Sequence, residues 1–257
     1  MPLPHSYQED PKTAWHPLAV EALWRSFAVH DGQHRVLPDG RCDIILRFQS
    51  DGVEPTGAIA VRIAGPSTQF HIVPISAGTT FVGVRLRPGM AHAVLALDPK
   101  SIVDRVLVDD EALAVLPALA SLRRPAPSIE ALAERLSQFV ADRFRSSGVN
   151  SLTTGMIDVL HVTGGRLPIA RLASMHGVDV RTVRRRITAA SGLAPKQLAA
   201  IIRFHRALRL RYAGVEGAAA ASEAGYADQA HMVRTFRRMG GIGSARLPDL
   251  ALAGLLI

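Results

Sequence analysis

The chain has 257 residues, 48% of them hydrophobic and 20% charged, a composition that excludes a disordered chain and suits one large domain or two ordinary ones. A single cysteine, Cys42, excludes an internal disulfide and a multi-cysteine metal cage. The net charge of +8 is uneven: residues 1–151 carry 15 basic and 16 acidic side chains and residues 152–257 carry 15 and 6, so the back is expected to meet a polyanion such as nucleic acid.

The opening MPLPHSYQED has neither a basic cluster nor an apolar stretch, so it does not read as a secretory signal. No run of about 18 apolar residues predicts a membrane span, and a cytoplasmic protein is expected. Trp15, Trp24 and Phe27 lie close together near the start, a spacing that fits core more often than a ligand pocket. Period-2 alternation then predicts strands in CDIILRFQ (42–49), AIAVRIA (58–64) and FVGVRLR (81–87). Turn chemistry separates them, at Pro38-Asp39-Gly40, Ser50-Asp51-Gly52, Gly65-Pro66 and Pro88-Gly89. Short strands so punctuated predict a β-barrel or sandwich. From about residue 89 the pattern turns helical. Ser128 can cap a helix whose Ile129, Leu132, Leu136, Phe139 and Val140 form one apolar stripe. That helix ends at Ser146-Ser147-Gly148, the expected linker.

Two stretches of the basic half share one plan, PIARLASMHGVDVRTVRRRI (168–187) and AAAASEAGYADQAHMVRTF (218–236). In each, a small-residue helix leads to a glycine, an apolar residue and then an aspartate able to cap a second helix. Gly177 and Gly225 supply the tight turn, Val178 and Tyr226 fill its corner, and Asp179 and Asp228 accept from free amides. Ala173 and Ala221 are small where the helices cross. Val183 and Ile187, then Met232 and Phe236, are apolar anchors four residues apart. The opposite face holds Arg181, Arg184 and Arg185 in the first unit, suited to guanine edges in a major groove. In the second it holds Gln229, Ala230, Val233 and Arg234, a poorer donor set, so the first unit is expected to dominate specificity. Thr182, Arg186, His231, Arg237 and Arg238 are candidates for phosphate. So are Arg203, Arg206 and Arg209 on the helix 197–212 that joins the units.

These residues resemble the AraC/XylS-type family of transcriptional regulators. GYADQAHMVRTFRR (225–238) is similar to the family's second-unit signature, and LASMHGVDVRTVRRRI with SGLAPKQL to its first, including Gly192 and Pro195. RFHRA (203–207) is similar to the start of the joining helix. The chain departs from the family's Gly-x-x-Pro step after the second unit, reading GGIGSARL (240–247). In the front half, LPDGRCDIILRF, AGPST and GVRLRPGMAHAVL are similar to the N-terminal domain of one subgroup, which implies a cupin-like β-barrel followed by helices.

The expected fold is α+β. Residues 1–147 form an effector-binding or dimerisation domain (barrel to about 120, then helical), 148–151 a linker, 152–247 the double helix-turn-helix domain, and 248–257 an apolar tail. The expected function is sequence-specific transcriptional regulation of double-stranded DNA under a small effector. RNA polymerase and a second copy, joined through the N-terminal domain, are the other partners of that reading. The alternative is a cupin-type metal-dependent enzyme or sensor fused to a DNA-binding domain, and a further one a general nucleoid-type binder. Neither a catalytic constellation nor a cofactor motif is present. His30, His34, His71 and His92 lack the His-x-His spacing of a metal cupin and read as solvated or core histidines. Cys42 reads as a small buried residue of a strand.

Overall fold

The computed structural model describes residues 5–10, 18–145 and 151–243. Trp15, the expected linker at 146–148, the residues 244–247 and the apolar tail 248–257 lie outside the described residues.

Among the described residues, eight strands and three α-helices build the front half: β1 (His5–Asp10), β2 (Val20–Ala28), β3 (Gly32–Val36), β4 (Asp43–Gln49), β5 (Ala60–Ala64), β6 (His71–Ile75), β7 (Thr79–Leu86), α1 (Ala91–Leu95), β8 (Val106–Val108), α2 (Asp110–Val115) and α3 (Ile129–Arg145). Six strands pair antiparallel in the order β1-β2-β7-β4-β5-β8, and β3 pairs with β6 as a separate ribbon. The fold class is therefore α+β, with an antiparallel sheet domain in front and a helical region behind.

Alternation assigns the two faces of the large sheet opposite tasks. Ile44, Leu46 and Phe48 of β4, Val61 and Ile63 of β5, and Val82, Val84 and Leu86 of β7 are all buried on one face. They form one apolar cluster with Val94 and Leu95 of α1 and with Leu132, Leu136 and Val140 of α3. Fully burying each such side chain stabilises by about 1.5–3 kcal/mol, so this layer anchors the domain. Ser128 Oγ accepts from Ala131 N at 3.1 Å, the cap expected for α3. The other face carries Trp24, Ile45, Asp43, Arg62, Phe81 and Arg85, and the β3–β6 ribbon helps to enclose it.

Three strands were legible as periodic apolar runs, and five were not. β1 (HSYQED) and β3 (GQHRV) are almost wholly polar, and β6 (HIVPI) contains Pro74, tolerated because a two-stranded ribbon leaves an edge unpaired. The helical texture expected from about residue 89 is interrupted by β8, three residues long and paired to β5. Its hydrogen bonds come from the sheet edge and leave no periodic trace in so short a segment.

The back half is helical: α4 (Ser151–Val162), α5 (Ile169–Met175), α6 (Val180–Ser191), α7 (Pro195–Tyr212), α8 (Gly217–Ala224) and α9 (Gln229–Gly240). A second apolar cluster runs through all six, and Leu37 and Val103 of the front half pack against it. Several contacts fasten the halves together. The turn at Gly40 abuts α7, where an added Cβ would lie 3.1 Å from Leu198. Gly192, after α6, abuts the backbone of Pro99, and Phe70 N donates to Met239 O near the end of α9 at 2.7 Å. Arg35 donates to the carbonyls of Gly240 and Gly241 at 2.9 and 2.6 Å, a cation placed at a helix C-terminus.

Candidate nucleic-acid interface and ligand cavity

In the first helix-turn-helix unit, Gly177 has φ 63° and Gly225 takes φ 85° in the second, the left-handed turn that glycine adopts without strain. Asp179 accepts from Thr182 N at 2.7 Å and Asp228 from His231 N at 2.6 Å, so each opens a helix as a cap worth about 1 kcal/mol. The hydrogen bond from Thr182 N, then that from its hydroxyl, holds the Asp179 carboxyl below the usual range. Ala173 and Ala221 are buried at the crossings and Tyr226 is buried in its corner, while Val178 is half-buried. Val183, Ile187, Met232 and Phe236 are buried anchors.

The face opposite the anchors is open. Arg181, Arg184 and Arg185 of α6 are exposed, and so are Gln229, Ala230 and Arg234 of α9, while Val233 is half-buried. His231, Arg237 and Arg238 are exposed beside them. Other phosphate candidates are engaged inside the protein. Thr182 Oγ donates to Asp179 at 2.9 Å, and Arg203 donates to Gly165 O at 2.6 Å. Arg206 donates to Glu223 O at 3.1 Å, tying α7 to α8. Arg186 faces a crevice with Met90 and His92, and Arg209 is half-buried. The linking helix thus serves mainly as a brace.

A second site lies in the sheet domain. Between the large sheet and the β3–β6 ribbon is a cavity of about 620 Å³, within the range that holds small ligands. Its walls include Tyr7, Trp24, Phe81 and Phe70, the charged residues Asp43, Arg62 and Arg85, and His205 of α7. Tyr7 and Trp24 stack at 5.8 Å, and the indole lies on Gly83, where an added Cβ would come within 2.3 Å of the ring. Trp24 thus lines the cavity rather than the core, contrary to the expectation from its spacing. Only the sheet register, which sets Trp24 opposite Gly83, decides this.

The floor of the cavity is a buried ion network. Arg85 donates to Glu9 at 2.7 Å, with Asp43 at 3.7 Å and Asp39 at 3.8 Å from its Nε. Arg41 donates to Glu21 at 2.5 Å and to Asp39 O at 2.9 Å. Burial opposes charge on Arg85, but Asp43, Tyr7, Asp39 and Glu9 together keep it firmly protonated. Burial pushes Asp43 up to about 7, outweighing the attraction of Arg85. His205 donates from Nε2 to Pro38 O at 2.5 Å, because a carbonyl can only accept. Of the four histidines weighed for a metal, His34 and His71 lie on the ribbon, His92 contacts Leu97 O and His30 is exposed. Cys42 is buried, and burial pushes its thiol up.

Burial holds His205 down at about 4 and His161 at about 3, from an ordinary 6.5. Both stay neutral in the folded protein where the unfolded chain would bind a proton. Their stabilising contribution is complete above pH 6.5 and is lost as pH falls toward those values. Asp43 acts oppositely, its contribution being complete below about 4 and lost as pH rises toward 7. His205→Gln is expected to flatten the pH dependence of urea unfolding between pH 6.5 and 4, by on the order of 3 kcal/mol. A His205→Gln profile with the same slope as the wild type over that interval would contradict it.

Tandem capped helix pairs, with arginine on the open face of the first recognition helix, define a helix-turn-helix DNA-binding protein. Residues 172–243 match the family model described as a helix-turn-helix domain, and residues 17–108 match a domain of unknown function, DUF6597. The first matched region holds the signatures at 172–187 and 225–238 and is an AraC-type helix-turn-helix domain.

No curated protein is significantly similar in sequence. Among solved structures, ToxT from Vibrio cholerae is similar at 12% identity and a TM-score of 0.45, over 93% of this chain and 97% of that one. ToxT from Vibrio cholerae O395 bound to (E)-4-(8-methylnaphthalen-1-yl)but-3-enoic acid matches with the same figures, 12%, 0.45, 93% and 97%. Unsaturated fatty acid bound wild-type ToxT from strain SCE256 matches at 14% and 0.43, over 83% and 89%. Likeness this distant carries no argument about residues or ligands here.

Proposed function

We propose that the protein is a cytoplasmic regulator that reads DNA with α6 and α9 and adjusts its affinity to a small molecule held in the sheet domain. Arg181, Arg184 and Arg185 read bases from the first unit, and Gln229, Ala230, Val233 and Arg234 from the second. His231, Arg237 and Arg238 grip phosphate. One observation carries this reading: both recognition helices bury their apolar anchors while their opposite faces stay open. Two helices braced by one linking helix suit successive major grooves about 34 Å apart.

The cavity supports the effector half of the proposal because its wall and the DNA-binding region share residues. His205 belongs to α7, and the turn Pro38-Asp39-Gly40 touches both the cavity network and that helix. A ligand that favours one packing of this turn over another would shift the population of DNA-competent states. The protein acts by binding rather than catalysis. Its further partners in this reading are RNA polymerase and a second subunit met through the N-terminal domain.

The test is selection of bound DNA from a random pool, followed by titration of the winner against scrambled sequence. A motif with two elements about one helical turn apart, bound at least about 10³-fold tighter than scrambled DNA, is the expected result. Equal, salt-sensitive binding to every sequence would replace this reading with a general phosphate-gripping protein.

A further inference from the structure

The cavity wall contains polar groups that the protein itself leaves unsatisfied. Trp24 Nε1, Tyr7 Oη, Asp43 Oδ1 and Arg62 Nε are all buried without a hydrogen-bond partner, and all four residues line the cavity. Buried donors and acceptors in this condition are expensive, and a cluster around one cavity points to a missing partner. The set is mixed in sign. Asp43 is an acceptor surplus to the network, because Arg85 gives its hydrogen bond to Glu9 and stands 3.7 Å from Asp43. Arg62 is the opposite case. Among the described residues its side chain has neither a hydrogen bond nor an ion pair within 4 Å, and burial followed by repulsion from Arg47 lowers its proton affinity against the attraction of Asp109.

The register of the sheet fixes how far apart the backbones of these two residues stand. Asp43 is opposite Ala64 and Ile45 is opposite Arg62, so Asp43 and Arg62 are diagonal neighbours on adjacent strands, on the face that lines the cavity. Diagonal Cα atoms are about 7–8 Å apart, with the side chains projecting the same way. One molecule carrying an ammonium and a carboxylate on one carbon, each making a charge-assisted hydrogen bond of about 2.8 Å, can bridge two side chains that project from such neighbours. Beside them lie the aromatic surfaces of Trp24 and Phe81, with Trp24 opposite Gly83 and Gly83 opposite Ile45 in one row across the sheet.

We propose that the cavity binds an α-amino acid or closely related zwitterion, its ammonium on Asp43, its carboxylate on Arg62 and its apolar side chain against Trp24 and Phe81. This rests on the reading of the cavity as an effector site and names the chemistry of the effector. Asp43 must be ionised to hold an ammonium. A bound cation would supply the attraction that Arg85, at 3.7 Å, supplies only in part.

The test uses calorimetry on the full chain with each of the twenty L-amino acids. The best binder is then compared with its own deaminated acid and its own decarboxylated amine. The expected result is a loss of at least about 10-fold for each truncated analogue, since each strands one buried charge. Arg62→Gln should abolish the preference for amino acid over amine, and Asp43→Asn the preference over the deaminated acid, with thermal unfolding confirming that both variants fold. Binding of the deaminated acid as tight as that of the amino acid would overturn the proposal, as would equally tight binding of the amine. Failure of all twenty amino acids to bind would overturn it too. Measuring affinity for the selected DNA separately keeps the two readings distinct. An amino acid that binds through Asp43 and Arg62 without changing DNA affinity supports this ligand class and removes the effector role.

Discussion

Phe204→Ala is expected to lower the unfolding free energy by about 3–5 kcal/mol, the largest loss from a single truncation in the DNA-binding region. Phe204 is fully buried on α7 and meets the Phe236 ring of α9 edge-on, with centroids 5.6 Å apart and planes at 86°. Gly240 approaches the Phe204 ring closely, since an added Cβ would lie 2.9 Å from its Cζ. The ring therefore joins the linking helix to the second recognition helix. Its removal leaves a cavity that rigid neighbouring helices can only partly close. Urea titration followed by helical circular dichroism measures the effect, and a loss under about 1 kcal/mol would show that the two helices are held by other contacts.

Arg184→Ala and Arg185→Ala are each expected to cost roughly 1–3 kcal/mol of binding on the selected site, with discrimination relaxed at single base positions. Both side chains are exposed on α6, while Val183 and Ile187 anchor the other face. Stability should therefore change little, and the loss should be confined to DNA. Arg237→Ala is the informative contrast. An exposed arginine that grips phosphate should weaken all sequences alike and reduce the salt dependence by about one unit of slope. Equal losses on every sequence for Arg184→Ala and Arg185→Ala would remove α6 from the role of base reader.

The helix-turn-helix units were readable residue by residue because their signals are local. A glycine at positive φ, an aspartate three residues before the amide it caps, and anchors four apart all fall within one short window. Asp179, Gly177, Val183 and Ile187 accordingly occupy the predicted places. The arginines of α7 were less legible. Periodicity marks which positions of a helix turn away from its core, but not which carbonyl a long side chain will meet. Arg203 and Arg206 find Gly165 O and Glu223 O, on loops and helices distant in sequence.

The sheet domain shows the same division. Apolar alternation in β4 and β7 predicted buried faces correctly, and the face it marked is the one under α3. The strands with polar sequences escaped notice because a sheet that borders a cavity need not be apolar on that side. His34 and His71 sit on the covering ribbon, and Glu9 and Asp43 lie around the buried Arg85, so none of them produces a hydrophobic period.

The sequence by itself determined the class of the protein, the two capped helix pairs with their exposed arginines, and the basic half that meets DNA. These follow from backbone conformation, helix capping and charge, which act between residues a few positions apart. Only the tertiary structure decided that Trp24, Asp43, Arg62 and Arg85 share one cavity and that His205 reaches it from α7. Strand register and the packing of α7 on the turn at Gly40 set those distances, and both depend on pairings between segments far apart in the chain.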